Sequence, residues 1–404
     1  LAAEGLRLAG ASARALALLA GLDLASIPDA LATSILVERA WCRLARGEPR
    51  EALAAAEEAL ARAPSAAAED VAARAQIRLG AHAEARARAE AALARATEPS
   101  ERADLFEAAG VAASYAGDHA AARAALAASA ALHGDLASPR RLVRVLSYQA
   151  IDAYRAGELD AALLGYRRAL EVAEQAGLVE QIPRLSLNVA SACHQRGAYA
   201  EALAVYERGE RVAAALAQDD LLAVFEFDLA KLWADLGAWD RAEQRALRAE
   251  RASLRVGAAF FVAAARSVLG DCALARGDAA EALARFEAAR EGFERDGAAR
   301  EVAEEDLEIA RAQLVAGETA SARAALARAR ASAITAQAPD LAARAALLEG
   351  RAALAAGEAM AAMRAFEAAR AAAERAGSQD LLAEALAAKG DEEPARALWA
   401  AIEA

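Results

Sequence analysis

Eleven glycines recur along the chain at near-fixed spacing: Gly10, Gly47, Gly80, Gly117, Gly157, Gly197, Gly237, Gly277, Gly317, Gly357 and Gly390. The six intervals from Gly117 to Gly357 are all 40 residues, and the outer intervals are 37, 33, 37 and 33. A period of this size confines the chain to stacked-repeat architectures, because each unit exposes an apolar face that only a neighbouring unit covers. Each glycine lies between apolar stretches of helical period, as in Ala156 to Leu163 and Arg196 to Leu203. Glycine takes the left-handed conformation that ends a helix, so these positions predict corners between antiparallel helices.

A wider pattern is locked to the same frame. Five residues after every glycine stands an alanine, from Ala15 and Ala52 through Ala362 and Ala395. Seven residues before it the side chain is small, as at Ala40, Gly110, Ala150, Gly270 and Gly350. Nine residues after it the side chain is often large: Leu126, Tyr166, Tyr206, Phe286, Leu326, Phe366 and Trp399. At twelve after it returns to small, as at Ala169, Gly209 and Ala249. Small residues let two helix backbones approach, and the large ones fill the space between neighbouring repeats.

This frame of small residue, turn glycine, alanine, large residue and small residue resembles the tetratricopeptide repeat, and the resemblance covers the whole chain. It implies an all-α fold: a right-handed α-α superhelix of about eleven helix-turn-helix repeats, or about twenty-two helices, forming a single solenoid over residues 1–404. Two features depart from the family. The period of 40 exceeds the usual length of about 34 residues, and the closing proline of each repeat is missing. Six additional residues are under two helical turns, so they predict longer helices, with the first of each pair at roughly 14 residues and the second somewhat longer.

The composition excludes several classes. Net charge is −12, which argues against direct nucleic-acid binding. No uncharged apolar run is long enough to span a bilayer. Cys42, Cys193 and Cys272 are scattered without pairing logic, as expected of reduced thiols in a cytoplasmic protein. Of the 47 basic residues only Lys231 and Lys389 are lysine, a bias that points to GC-rich bacterial coding. The chain opens on Leu1 inside what the frame makes a first helix, so a segment of a longer polypeptide is expected.

No constellation for chemistry emerges. The histidines His82, His119, His133 and His194 form no His-x-x-x-His pair that could start a metal site. Cys193 and His194 are adjacent, and helical neighbours point about 100° apart, poor geometry for a nucleophile and its base. Paired carboxylates such as Glu57–Glu58 and Glu304–Glu305 suit a solvated helix face. The chain is therefore expected to be no enzyme and to need no cofactor or metal.

In the resembling family, partners lie on a concave face built by the first helix of each repeat, at positions 13, 10, 6, 3 and 2 before the turn glycine. Carried over, these offsets select Arg144, Ser147, Ile151, Tyr154 and Arg155 before Gly157. They select Arg184, Leu187, Ser191, His194 and Gln195 before Gly197, and Val224, Phe227, Lys231, Ala234 and Asp235 before Gly237. Further along come Arg311, Arg344 and Arg351, interrupted by Asp271 and Glu304. The expected partner groove is thus Arg144, Tyr154, Arg155, Arg184, Ser191, His194, Phe227 and Lys231. Guanidinium forks favour carboxylate or phosphate, so the expected partner is an acidic or phosphorylated protein or peptide. The family's clamp for a C-terminal carboxylate is not matched: Asn188, the only asparagine, pairs with Arg184 in one repeat, and the preceding repeat offers Ser147 and Ile151.

The resulting expectation is an interaction scaffold, the regulatory part of a bacterial signalling protein. The chain looks like the repeat regions of bacterial serine/threonine kinases and multidomain transcriptional activators, and its ending from Ala395 is similar to the close of such regions. Two alternatives stand beside it: a sensor domain for a small ligand, and a repeat region attached to a kinase or caspase-like protease domain.

Overall fold

The structure, a computed structural model, describes residues 2–8, 11–391 and 393–396. Gly10 and Trp399 of the repeat frame lie outside the described residues. Those described fold into α-helices joined by tight corners, with no strand among them. They form two compact units, Leu1–Val205 and Tyr206–Ala404.

In the first unit, helices pair in chain order: α1 (Ala2–Leu8) with α2 (Ser12–Ala20), α3 (Asp29–Ala45) with α4 (Pro49–Arg62), and α5 (Ala66–Arg78) with α6 (His82–Leu93). Then come α7 (Pro99–Tyr115) with α8 (His119–Asp135), and α9 (Pro139–Arg155) with α10 (Leu159–Gln175). A 3₁₀ turn, Val179–Gln181, leads into α11 (Ile182–Gln195), which precedes α12 (Tyr199–Ala215). The second unit continues with α13 (Asp219–Asp235) and α14 (Trp239–Val256), α15 (Ala259–Ala275) and α16 (Ala279–Asp296), and α17 (Ala299–Val315) and α18 (Thr319–Thr335). It closes with α19 (Pro339–Ala355), α20 (Ala359–Ala376) and α21 (Gln379–Lys389).

The frame explains the packing. All eleven alanines five residues after the turn glycine are fully buried. Opposite them sit the small residues seven before it, including Ala40, Ala73, Ala190, Ala230 and Ala310, which are also buried. Tyr206, Phe286 and Phe366 fill the remaining space and are among the largest buried side chains. The interior is therefore built from many small contacts, each repeat covering the next.

The first helices are longer than the roughly 14 residues expected from the sequence. From α7 onward nearly all helices of both kinds run 17 or 18 residues. The reason is a second set of corners, midway between the first. Left-handed backbone occurs at Gly117, Ala137, Gly157, Gly177, Gly197, Ala217, Gly237, Gly257, Gly277, Gly297, Gly317, Gln337, Gly357 and Gly377, every 20 residues. Helices of equal length thus alternate with corners of three residues. At Gly157 the Glu158 amide donates to the Ala153 carbonyl (2.9 Å) and the Gly157 amide to the Tyr154 carbonyl (3.0 Å). The same pair of bonds forms at Ala217, from Gln218 to Ala213 (3.0 Å) and from Ala217 to Ala214 (3.2 Å). Both corners are Schellman ends that satisfy carbonyls the helix leaves free.

A charged groove lined by the first helices

The first unit encloses a cavity of about 810 Å³. Every residue lining it comes from α1, α3, α5, α7, α9, the 3₁₀ turn or α11, so only first helices and their lead-in build its wall. Apolar surface comes from Val37, Trp41, Val143, Ile151 and Leu185. Trp41 is held between two guanidiniums, those of Arg7 and Arg74, each 5.6 Å from its ring centre.

A ladder of alternating charge crosses three successive first helices behind this wall. Asp70 on α5 meets Arg74 at 2.7 Å, and Arg74 reaches Glu107 on α7 at 2.6 Å. Arg144 on α9 meets the same Glu107 at 2.8 Å, and Arg141 meets Asp104 at 2.7 Å. Glu107 is fully buried. Burial by itself would raise its carboxyl, but the guanidiniums of Arg74 and Arg144 outweigh it and hold the group below its ordinary value. Asp70 is pushed up, chiefly by burial, with Arg74 opposing and the carboxylates of Asp104 and Glu107 adding to it. His133 is buried beside the ladder, and desolvation pulls its imidazole below the usual value, so it is neutral at pH 7.

Asp104, Glu107 and His133 are also the only trio of metal-ligating groups among the described residues whose donor atoms lie within 4.8 Å of one another. The two carboxylates are already held by Arg74, Arg141 and Arg144. A cation would have to compete with three guanidiniums, so the arrangement does not favour metal binding.

Most cavity arginines are matched in the same way. Arg7 pairs with Glu38 and Arg140 with Glu180, both at 2.6 Å. Arg184 is the exception: it is exposed, lines the cavity, and has no hydrogen bond or ion pair among the described residues. One turn along the same helix face, the Asn188 amide also lines the cavity without a hydrogen bond.

The residues expected in the groove from the sequence therefore have different surroundings. Arg144 and Arg184 line one cavity, together with Ser147 and Ile151. Tyr154, Arg155, Ser191 and His194 are not among its lining residues. Tyr154 accepts a hydrogen bond from Gln195 (2.5 Å), Arg155 stacks 4.3 Å over the Tyr115 ring, and His194 meets Tyr199 edge-on at 5.7 Å. Phe227 and Lys231 belong to the second unit, where Phe227 packs edge-on against Phe261 at 5.7 Å and Lys231 lies close to Asp228. Several cavity residues that the sequence reading passed over stand at the same offsets one to three repeats earlier. Asp104 and Glu107 are 13 and 10 before Gly117, Asp70 is 10 before Gly80, and Val37 and Trp41 are 10 and 6 before Gly47.

No helix among the described residues is long and apolar enough to cross a membrane. No protein-family model and no curated protein matches the sequence. Solved structures do match in fold. The apo quorum sensor NprR from B. thuringiensis is similar with a TM-score of 0.62 at 10% identity, over 83% of this chain and 97% of that one. A Rap protein complexed with competence and sporulation factor is similar with a TM-score of 0.58 at 14% identity, over 92% and 96%. A STAND signal-transduction ATPase with a tetratricopeptide-repeat sensor, from Pyrococcus horikoshii, is similar with a TM-score of 0.61 at 14% identity, over 79% and 51%. The fold is that of a tetratricopeptide-repeat-like α-solenoid.

Proposed function

We propose that the chain is a non-catalytic interaction scaffold, the regulatory part of a bacterial signalling protein, whose first unit seats an extended peptide segment of a partner in its cavity. The observation that carries this reading is the pair of unpartnered side chains, Arg184 and Asn188, on a wall that also offers Trp41 and Ile151. A primary amide supplies two donors and an acceptor, the complement of a peptide unit. A free guanidinium takes a carboxylate or phosphate in bidentate fashion. Because Arg7, Arg140, Arg141 and Arg144 already face carboxylates, the partner needs one anionic group placed at Arg184, not a run of them. The similarity in fold to a quorum sensor and to a factor-bound Rap protein supports a regulatory role. A cavity of about 810 Å³ is also of a size that holds small ligands, which favours the sensor reading as the alternative.

The test is a pull-down from the native lysate with the wild type and with Arg184→Glu/Asn188→Ala. The double variant is expected to lose species that the wild type captures, and those species should contain peptide. Recovery of the same set by both proteins removes the cavity reading. A captured metabolite in place of a peptide selects the sensor alternative.

A further inference from the structure

The first helices of the second unit carry more carboxylates than cations. Asp228 lies on α13, Asp271 on α15, and Glu304, Glu305 and Glu308 on α17. Among them stand Lys231, Arg311 and Arg344. Arg311 bridges Asp271 at 3.1 Å and Glu308 at 3.0 Å, and Arg344 reaches Glu308 at 3.6 Å. Arg300 is drawn off by Asp340 at 2.6 Å and approaches Glu304 only to 3.4 Å. Glu305 is buried, and its Oε2 has no hydrogen-bond partner. It faces Ser267 and Asp271 from α15 and Glu304 and Glu308 from its own helix.

The surplus is held as protons. Burial, reinforced by Glu308, Asp271 and Glu304, pushes the Glu305 carboxyl up to about 8. Burial pushes Asp228 up to about 7 against the pull of Lys231 and a hydrogen bond from Tyr206. Asp271 is pushed up to about 6 by burial and by Glu308, against Arg311, with Asp235 adding a smaller push. Protons here stand where a stronger counter-ion is missing.

We propose that this face binds the guanidinium or ammonium groups of a basic peptide segment, with Asp271, Glu304 and Glu308 as the contacts and Glu305 beneath them. The reading is independent of the cavity in the first unit. An organic cation fits better than a metal ion. The one trio of described donors within 4.8 Å lies elsewhere, at Asp104, Glu107 and His133, so these carboxylates are too spread to close around a single ion. A guanidinium presents five donors over a wider fork on a flexible stem. As it docks, the carboxyls ionise, so binding releases protons and tightens as pH rises from about 6 to about 8.

The test titrates a hexa-arginine peptide into the 404-residue chain by calorimetry, in two buffers of different ionisation enthalpy. Wild type is compared with Asp271→Asn/Glu308→Gln and with a control at exposed sites on α16, Glu287→Gln/Glu291→Gln. The first variant should bind roughly tenfold more weakly, the control should match wild type, and wild type should release protons on binding. Equal affinities for the two variants, or binding without proton release, overturns the proposal. So does saturable Mg²⁺ binding that the first variant abolishes, since that describes a metal site. A second measurement needs no variant. Carbodiimide coupling of hexalysine to wild type should concentrate on Asp271, Glu304 and Glu308, and crosslinks spread evenly to residues such as Glu287 overturn the proposal equally.

Discussion

Phe286 lies directly on the backbone of Gly270: a Cβ added at 270 would sit 2.5 Å from Cε1 of the ring and 2.6 Å from Cδ1. The two residues stand seven before and nine after the Gly277 corner, so the contact joins the two helices of one repeat. The relation recurs at Gly350 with Phe366 and at Gly110 with Leu126, whose Cγ would lie 2.7 Å from the added atom. Around Gly157 the compensation moves to the other helix. Position 150 is alanine, and Gly165 opposite it is the residue with no room, 2.9 Å from the Ala150 Cβ.

Gly270→Ala should therefore overpack the α15–α16 interface at a cost of about 1–3 kcal/mol. The ring must move, because it is fully buried and has no open side to swing toward. In a Phe286→Ala background the same substitution should cost much less, since the clashing atoms are gone. The check is a double-mutant cycle by denaturant unfolding, where additive effects would show that the two side chains do not couple.

The second series of corners makes a prediction of opposite sign. Ala217 holds φ of 51° and Ala137 of 48°, where a Cβ is strained, while Gly257 and Gly297 serve the equivalent corners with φ of 72° and 73°. Ala217→Gly relieves strain of about 1–2 kcal/mol, offset by about 0.5–1 kcal/mol of added backbone entropy in the unfolded chain. A net gain of up to about 1 kcal/mol is expected. Gly257→Ala should lose a similar amount. Thermal melts of the two variants should shift in opposite directions, and a shared direction would contradict the strain argument.

These corners also show what was legible in the sequence. The first series is glycine at every repeat, so the period, the helix pairs and the buried alanines follow from it. The second series carries Ala137, Ala217 and Gln337 among its glycines. A corner that tolerates alanine leaves no reliable mark, and the first helices were consequently read as too short. The groove was legible as a set of positions but not as a charge balance. Arg144 looks like a free cation when only its own repeat is considered. Its partner Glu107 is 37 residues upstream, at an offset that the same frame marks as groove-facing. Whether a cation faces solvent or a carboxylate on the next repeat depends on side-chain reach between helices, which periodicity does not encode.

Glu107 is the hub of that balance, and its removal should be costly. Glu107→Gln leaves Arg74 and Arg144 facing a neutral amide in a buried place, and breaking a buried ion pair in this way costs about 3–5 kcal/mol. The sign with pH follows from the depressed carboxyl. Its stabilising contribution is present above the unfolded value of about 4.3 and is lost as pH falls through the lower folded value. Hydrogen exchange of α7 amides should thus separate variant from wild type at neutral pH and converge in acid. A gap that persists unchanged below about pH 3 would show that packing, not charge, holds the site.

Glu305 should behave in the reverse sense. Its carboxyl is pushed up to about 8 by burial and by neighbouring carboxylates, whereas in the unfolded chain it titrates near about 4.3. Folding therefore favours the protonated form. The contribution is fully present below the unfolded value and is lost progressively as pH rises through the folded one. Glu305→Gln keeps the shape and the ability to meet Ser267 but cannot ionise. Near pH 4 the variant should match wild type. As pH rises it should become the more stable of the two, by an amount on the order of a few kcal/mol that levels off beyond about pH 8. Denaturant unfolding of the two proteins from pH 4 to pH 9 reads this difference directly. A variant that is less stable than wild type at alkaline pH would mean that the ionised carboxylate is held by a cation within the fold, and the surplus of negative charge on this face would not exist.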